Sequence, residues 1–116
     1  MKGTLDQSTD QYKAFADPTR LRILNLLGEK ELCVCHIVEV LGEPQPKVSR
    51  HLAMLRRAGL VTVRVEGPWR HYGLPTERTG LAETLLSSID SCLGETSELQ
   101  ADRERLARTS TDEGCN

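Results

Sequence analysis

Two thiols one residue apart, Cys33 and Cys35, stand at the head of a short apolar stretch, ELCVCHIVEVL (residues 31–41), in a chain of 116 residues with four cysteines. Sulfur at this spacing suits three roles: small core filling, a redox pair, or part of a site for a soft ion. The apolar residues Val34, Ile37, Val38 and Leu41 follow at i, i+3, i+4 and i+7, so the pair lies at the start of a short helix, whose positive end favours the thiolate. Residues i and i+2 of a regular helix project about 200° apart. Gripping one small ion therefore requires at least one of the two thiols to lie outside the regular helix, or to leave it on binding.

The surrounding chain must place that pair. Its length suits one domain with a modest core. Only Tyr12, Phe15, Trp69 and Tyr72 are aromatic, so the core is aliphatic and the expected class is mainly α. No run approaches the length of a membrane span, and MKGTLDQSTDQYK lacks the apolar centre of a signal peptide. The expectation is a cytoplasmic protein with no membrane partner. In a reducing compartment, unevenly spaced cysteines serve as free thiols, ligands or redox sensors. Charge is uneven: residues 45–78 carry seven basic and two acidic groups, whereas the whole chain is at −2. The middle third is a cationic surface suited to phosphate.

Local signals divide the chain further. Asp17-Pro18 is an N-cap followed by proline at the first helical position, and Leu21, Leu24 and Leu27 predict a helix over 18–27 ended by Gly28. Gly42 stops the helix of the thiol stretch. After Gly42-Glu43-Pro44, Pro46 opens a third helix with Val48, Leu52 and Leu55 inward, running up to Gly59, and with Lys47, Ser49, Arg50, His51 and Arg57 outward, a face that could meet a nucleic acid. Val61, Val63 and Val65 alternate with Thr62, Arg64 and Glu66, predicting a half-buried strand, and Gly67-Pro68 turns it into a second run from Trp69 to Leu74. From about Glu77 a longer helix carries Leu81, Leu85, Leu86, Ile89, Cys92 and Leu93 on one side. That stripe is assigned to a second subunit. Residues 1–94 are read as the working domain. Residues 95–116 are read as a polar extension with a surface helix around Leu99 and Leu106 and a mobile tail.

Two short helices joined by a tight turn and followed by a hairpin give the order of a winged helix-turn-helix. At ADPTRLRIL (16–24), ELCVCHI (31–37), KVSRHLAMLRRAGLV (47–61) and the wing from Trp69 to Leu74, the chain resembles the ArsR/SmtB metalloregulatory repressors, in their arsenical-responsive branch. The resemblance covers roughly residues 12–75. It implies a homodimer that blocks its own operon on double-stranded operator DNA of two-fold symmetry, and lets go when a thiophilic ion binds. An enzyme is not implied, and no phosphate-cradling loop lies beside the cysteines.

Carried over position by position, the resemblance places Gln45, Lys47, Ser49, Arg50 and His51 on the recognition-helix face. It makes Arg56 and Arg57 phosphate contacts and gives Arg64, Gly67 and Arg70 to the wing. It makes Cys33 and Cys35 the ligands of trivalent arsenic or antimony, inorganic or organic, acting as inducer with no permanent cofactor. The branch often has a third cysteine where this chain has Val38. The third ligand is then Cys115, which is favoured because a flexible tail closes a long loop cheaply, or Cys92, or a substituent carried by the arsenical itself. His36 beside the two thiols could complete a mixed site for zinc or cadmium. His71 is read as a wing residue without a ligand role. The alternatives within the same fold are sensing of cadmium, zinc or lead, and sensing of thiol oxidation.

Overall fold

The structure, a computed structural model, describes residues 4–78 and 80–111. Six α-helices and one hairpin follow in the order α1 (Leu5–Phe15), α2 (Pro18–Leu27), α3 (Val34–Leu41), α4 (Gln45–Arg57), β1 (Thr62–Glu66), β2 (Trp69–Gly73), α5 (Gly80–Ser88) and α6 (Ser97–Ala107), with a π-helical turn at Ile89–Leu93 between the last two. Helix α1 has little apolar content, and the periodicity of the sequence does not reveal it. Its start is fixed by a capping box in which Gln7 donates its amide to Thr4 Oγ1 at 3.1 Å and its side chain accepts from Thr4 N at 2.8 Å.

Helices α2, α3 and α4 begin and end where local chemistry places them. The Asp17 carboxylate accepts from Arg20 N at 3.0 Å with Pro18 at the first position. Gly42 ends α3 at φ 69°, a left-handed conformation that glycine adopts without a Cβ penalty. Ile23, Leu24, Ile37, Val40, Val48, Leu52 and Leu55 are buried together, each removing on the order of 1.5–3 kcal/mol of apolar surface from water. The hairpin is antiparallel, pairing Thr62 with Gly73, Arg64 with His71 and Glu66 with Trp69. Its strands are less covered than their alternation suggests. Val65 is exposed and Val63 only half-buried, because the two-stranded wing projects from the body and only its root at Val61 and Gly73 is enclosed.

The stripe assigned to a second subunit needs correction. Helix α5 starts at Gly80, and Leu85, Leu86 and Ile89 are buried within this chain, because α1 and α2 pack against α5 and the π turn. Leu81 and Leu93 are half-buried and Cys92 is exposed. The large exposed apolar side chains among the described residues lie elsewhere, at Leu5 (83%) and Tyr12 (57%) on α1 and at Val65.

The segment beyond Gly94 also packs more closely than a surface helix. Leu99 and Leu106 join the core, and Asp102, 3% exposed, receives two hydrogen bonds from Arg22, Nε to Oδ2 at 2.8 Å and Nη2 to Oδ1 at 3.0 Å. Asn25 Nδ2 donates to Leu99 O, and Arg105 Nη1 donates to Val40 O at 2.7 Å near the end of α3. Removing one partner of a buried pair strands the other, so Asp102→Ala is expected to lower stability by about 3 kcal/mol. Lys47→Ala, which breaks a half-exposed pair with Glu43 one helical turn away, should cost less than about 0.5 kcal/mol. Urea unfolding of both variants checks this; equal losses would show that α6 is held by other contacts.

Candidate thiol site and nucleic-acid interface

Cys33 is the N-cap of α3, with extended backbone at φ −79°, ψ 158°, and Cys35 falls in the first helical turn. The requirement that one thiol stand outside the regular helix is thus met before any ion binds. Cys33 is 5% exposed and free; Cys35 is half-buried and disulfide-bonded. No side chain caps α3 at its start. Both cysteines line a cavity of about 310 Å³ whose other walls are Val34, Gln45 at the start of α4, and Pro68, Trp69 and Arg70 at the wing. The cavity therefore joins the thiol pair to the first residue of the expected recognition helix and to the turn of the hairpin.

Other expected ligands lie apart from this cavity or are not placed. Cys92 sits on the π turn, with Ser91 Oγ 3.5 Å from its sulfur, and does not line the cavity. Cys115 lies outside the described residues. Val38 packs against the core where the third cysteine of related chains would stand. His36 is buried, with Nδ1 lacking a hydrogen-bond partner. Among the described residues no three His, Cys, Asp or Glu side chains come together in a metal-holding group. His71, read from the sequence as a wing residue without a ligand role, is a neighbour of the site: its Nδ1 lies 3.8 Å from Cys33 Sγ and its Nε2 lies 3.4 Å from Glu66 Oε1. Only the hairpin register brings it there, across 38 residues of chain.

The cationic face divides into paired and unpaired groups. Gln45, Ser49, Arg50, Arg56 and Arg57 on α4 and Arg64, Gly67 and Arg70 on the wing are exposed, while Lys47 and His51 are half-buried. Arg50 and Arg57, seven residues apart, lie on the side of α4 away from Val48, Leu52 and Leu55. Arg64 lies against Glu31 and Glu66, and the hydrogen bond it donates to Glu31 leads the influences that raise its guanidinium above the ordinary value. Arg20 Nη1 meets His51 Nδ1 at 3.1 Å, and its Nε donates to Ala14 O at 2.6 Å. A guanidinium has no acceptor, so Nδ1 accepts, and the neutral ring carries its proton on Nε2.

Comparison with known proteins fits this geometry. Residues 17–63 match the family described as bacterial regulatory protein, arsR family. The chain is 46% identical over 74 residues to an uncharacterized HTH-type transcriptional regulator of Methanocaldococcus jannaschii, covering 63% of this chain and 83% of that one. It is 43% identical over 98 residues to the arsenical resistance operon repressor of Escherichia coli, covering 84% of this chain and 82% of that protein. The solution structure of a homodimeric winged helix-turn-helix DNA-binding domain from Mycobacterium bovis superposes with a TM-score of 0.67 at 30% identity, covering 84% of this chain and 94% of that one.

The environment of His51 makes stability depend on pH. Burial is the largest influence holding the ring below its ordinary value of 6.5; Arg20, Lys47 and Arg50 act in the same direction, against the attraction of Asp17. Above that value both folded and unfolded rings are neutral and nothing is lost. As pH falls through it, the unfolded chain takes up the proton first, and stability declines until the folded ring titrates as well. His51→Gln is expected to flatten the loss of stability between about pH 7.5 and pH 5. Urea midpoints measured across that window compare the two proteins, and parallel curves would assign the loss to other groups.

Proposed function

The chain belongs to the arsR family of bacterial regulatory proteins, and on that premise we propose that it is a repressor released from operator DNA by trivalent arsenic or antimony bound at Cys33 and Cys35. As a winged helix-turn-helix transcriptional regulator it presents α4 to the major groove and the hairpin to the flanking backbone. Gln45, Lys47, Ser49, Arg50 and His51 face the groove in this reading, Arg56 and Arg57 contact phosphate, and Arg64, Gly67 and Arg70 form the wing contact. It works as a homodimer on two-fold symmetric DNA in the cytoplasm. The exposed Leu5 and Tyr12, seven residues apart on α1, supply apolar surface for a second copy.

The observation that carries the reading is the shared cavity of Cys33, Cys35, Gln45 and the wing turn. In the reduced protein, capture of arsenous acid at Cys33, Cys35 and Cys115 forms three As–S bonds and breaks three As–O bonds, and the three thiol protons leave with the displaced hydroxides as three waters. The third sulfur in this reading is Cys115. A helix start with no side-chain cap is inexpensive to remodel, so closing an ion across the pair redirects the first turn of α3 and the α4 entrance beside it. Linkage then requires DNA to weaken inducer binding by the same factor. The disulfide at Cys35 favours a second reading within the same fold, in which oxidation of this thiol is the signal.

Arsenite added to the reduced protein is expected to lower operator affinity by about 5-fold to 150-fold, a coupling of roughly 1–3 kcal/mol. Cys33→Ser and Cys35→Ser should lose the response, Cys92→Ser should keep it, and Cys115→Ser should weaken it. Trp69, the single tryptophan, lines the cavity, so its emission reports capture alongside the operator titration. An arsenite-independent affinity at constant redox state would overturn the reading. Release by mild oxidation alone would replace it with the second one.

A further inference from the structure

Three consecutive residues entering the thiol site are bonded to the wing. Glu31 Oε1 accepts from Arg64 Nε at 3.2 Å and from Nη2 at 2.9 Å. Leu32 and Tyr72 exchange backbone hydrogen bonds, Leu32 N to Tyr72 O at 2.9 Å and Tyr72 N to Leu32 O at 2.8 Å, adding a one-bridge third strand to the hairpin. Cys33 Sγ meets His71 Nδ1. Gly73 completes the seam, since a Cβ there would stand 3.1 Å from Glu31 Cγ. The cross-strand pair Arg64 and His71 projects from one face of the hairpin, and both members reach the segment that leads into α3.

The wing arginine is therefore already held by anions before DNA arrives. Its guanidinium is shared between Glu31 and Glu66, with Arg64 Nη1 3.4 Å from Glu66 Oε2. A phosphate that takes Arg64 must displace Glu31, and Glu31 lies two residues before the thiol that the inducer engages. We propose that residues 31–33 are a latch on the wing: Glu31 competes with operator phosphate for Arg64, and inducer capture at Cys33 acts on DNA through this hold as well as through α4. The latch rests on the inducer site and wing contact described under Proposed function. It adds a second output, carried by the hairpin through Arg64 on β1, to the one carried by the recognition helix.

The test is a double-mutant cycle on the full, reduced chain, read as operator affinity with and without arsenite. Without inducer, Glu31→Gln tightens operator binding by about twofold to fivefold, the range expected for an exposed ion pair. Arg64→Gln weakens binding, and adding Glu31→Gln to it restores nothing. With arsenite, the inducer-driven loss of affinity is smaller in Arg64→Gln than in the unaltered protein. Equal tightening by Glu31→Gln in both backgrounds would reduce Glu31 to a general repulsive charge and overturn the latch. An unchanged induction ratio in Arg64→Gln would overturn the wing as an output. Failure of the unaltered protein to respond to arsenite would overturn the inducer assignment, while the inducer-free half of the cycle would still decide the competition for Arg64.

Discussion

The junction at Leu32 and Cys33, where extended backbone turns into α3, is the constraint on which the arrangement depends. Leu32 is buried and its peptide is bonded to Tyr72 on β2. One residue later the Cys33 carbonyl accepts from His36 N at 3.1 Å and Ile37 N at 3.3 Å, the first bonds of the helix. Adjacent peptide units thus belong, one to the wing and the next to the helix-turn-helix. A ligand that alters the backbone here meets both DNA-facing elements at once, and no long relay through the core is needed.

The two ends of α3 are built differently. At its C-terminal end, Gly42 closes the helix in the left-handed conformation, Arg105 holds the Val40 carbonyl, and Arg22 reaches towards Leu41 O while paired with buried Asp102. These contacts tie α2, α3 and α6 into one unit. The N-terminal end starts at Cys33 and has no side-chain cap. In the proposed reading, a firm end and a soft end on an eight-residue helix let a local event at the start be expressed as a change of direction at α4, which follows after a short turn.

Much of this was legible in the sequence, and the rest was hidden for identifiable reasons. Asp17-Pro18, Gly42 and the spacing of Val48, Leu52 and Leu55 state their own local structure, and the alternation of residues 61–66 states the hairpin. Helix α1 was hidden because its stabilising feature is a Thr4–Gln7 capping box on a polar segment with few apolar residues. The packing of α6 was hidden because Asp102 reads as a surface residue until Arg22, 80 positions earlier, is placed beside it. The same long-range placement turns the stripe around Leu85, Leu86 and Ile89 inward. At the thiol site the pair Cys33 and Cys35 was evident, whereas His71 comes to Cys33, and Arg64 to Glu31, only through tertiary placement of the hairpin, which no local pattern of one sequence specifies.

The cationic middle third is less uniform than its composition suggests, and this shapes how it can meet DNA. Lys47 is paired with Glu43, Arg64 with Glu31 and Glu66, and Arg78 with Glu83. Among the described residues Arg50, Arg56, Arg57 and Arg70 form no ion pair, so they carry the unopposed positive charge of α4 and the wing. In the proposed reading these four set the long-range attraction to phosphate and its dependence on salt. Lys47 and Arg64 must exchange a carboxylate for a phosphate, a near-balanced step whose sign local geometry can change. In the proposed reading, affinity built from unopposed charge and control built from exchangeable pairs let a small rearrangement at the thiols release the operator while most of the cationic surface stays in place.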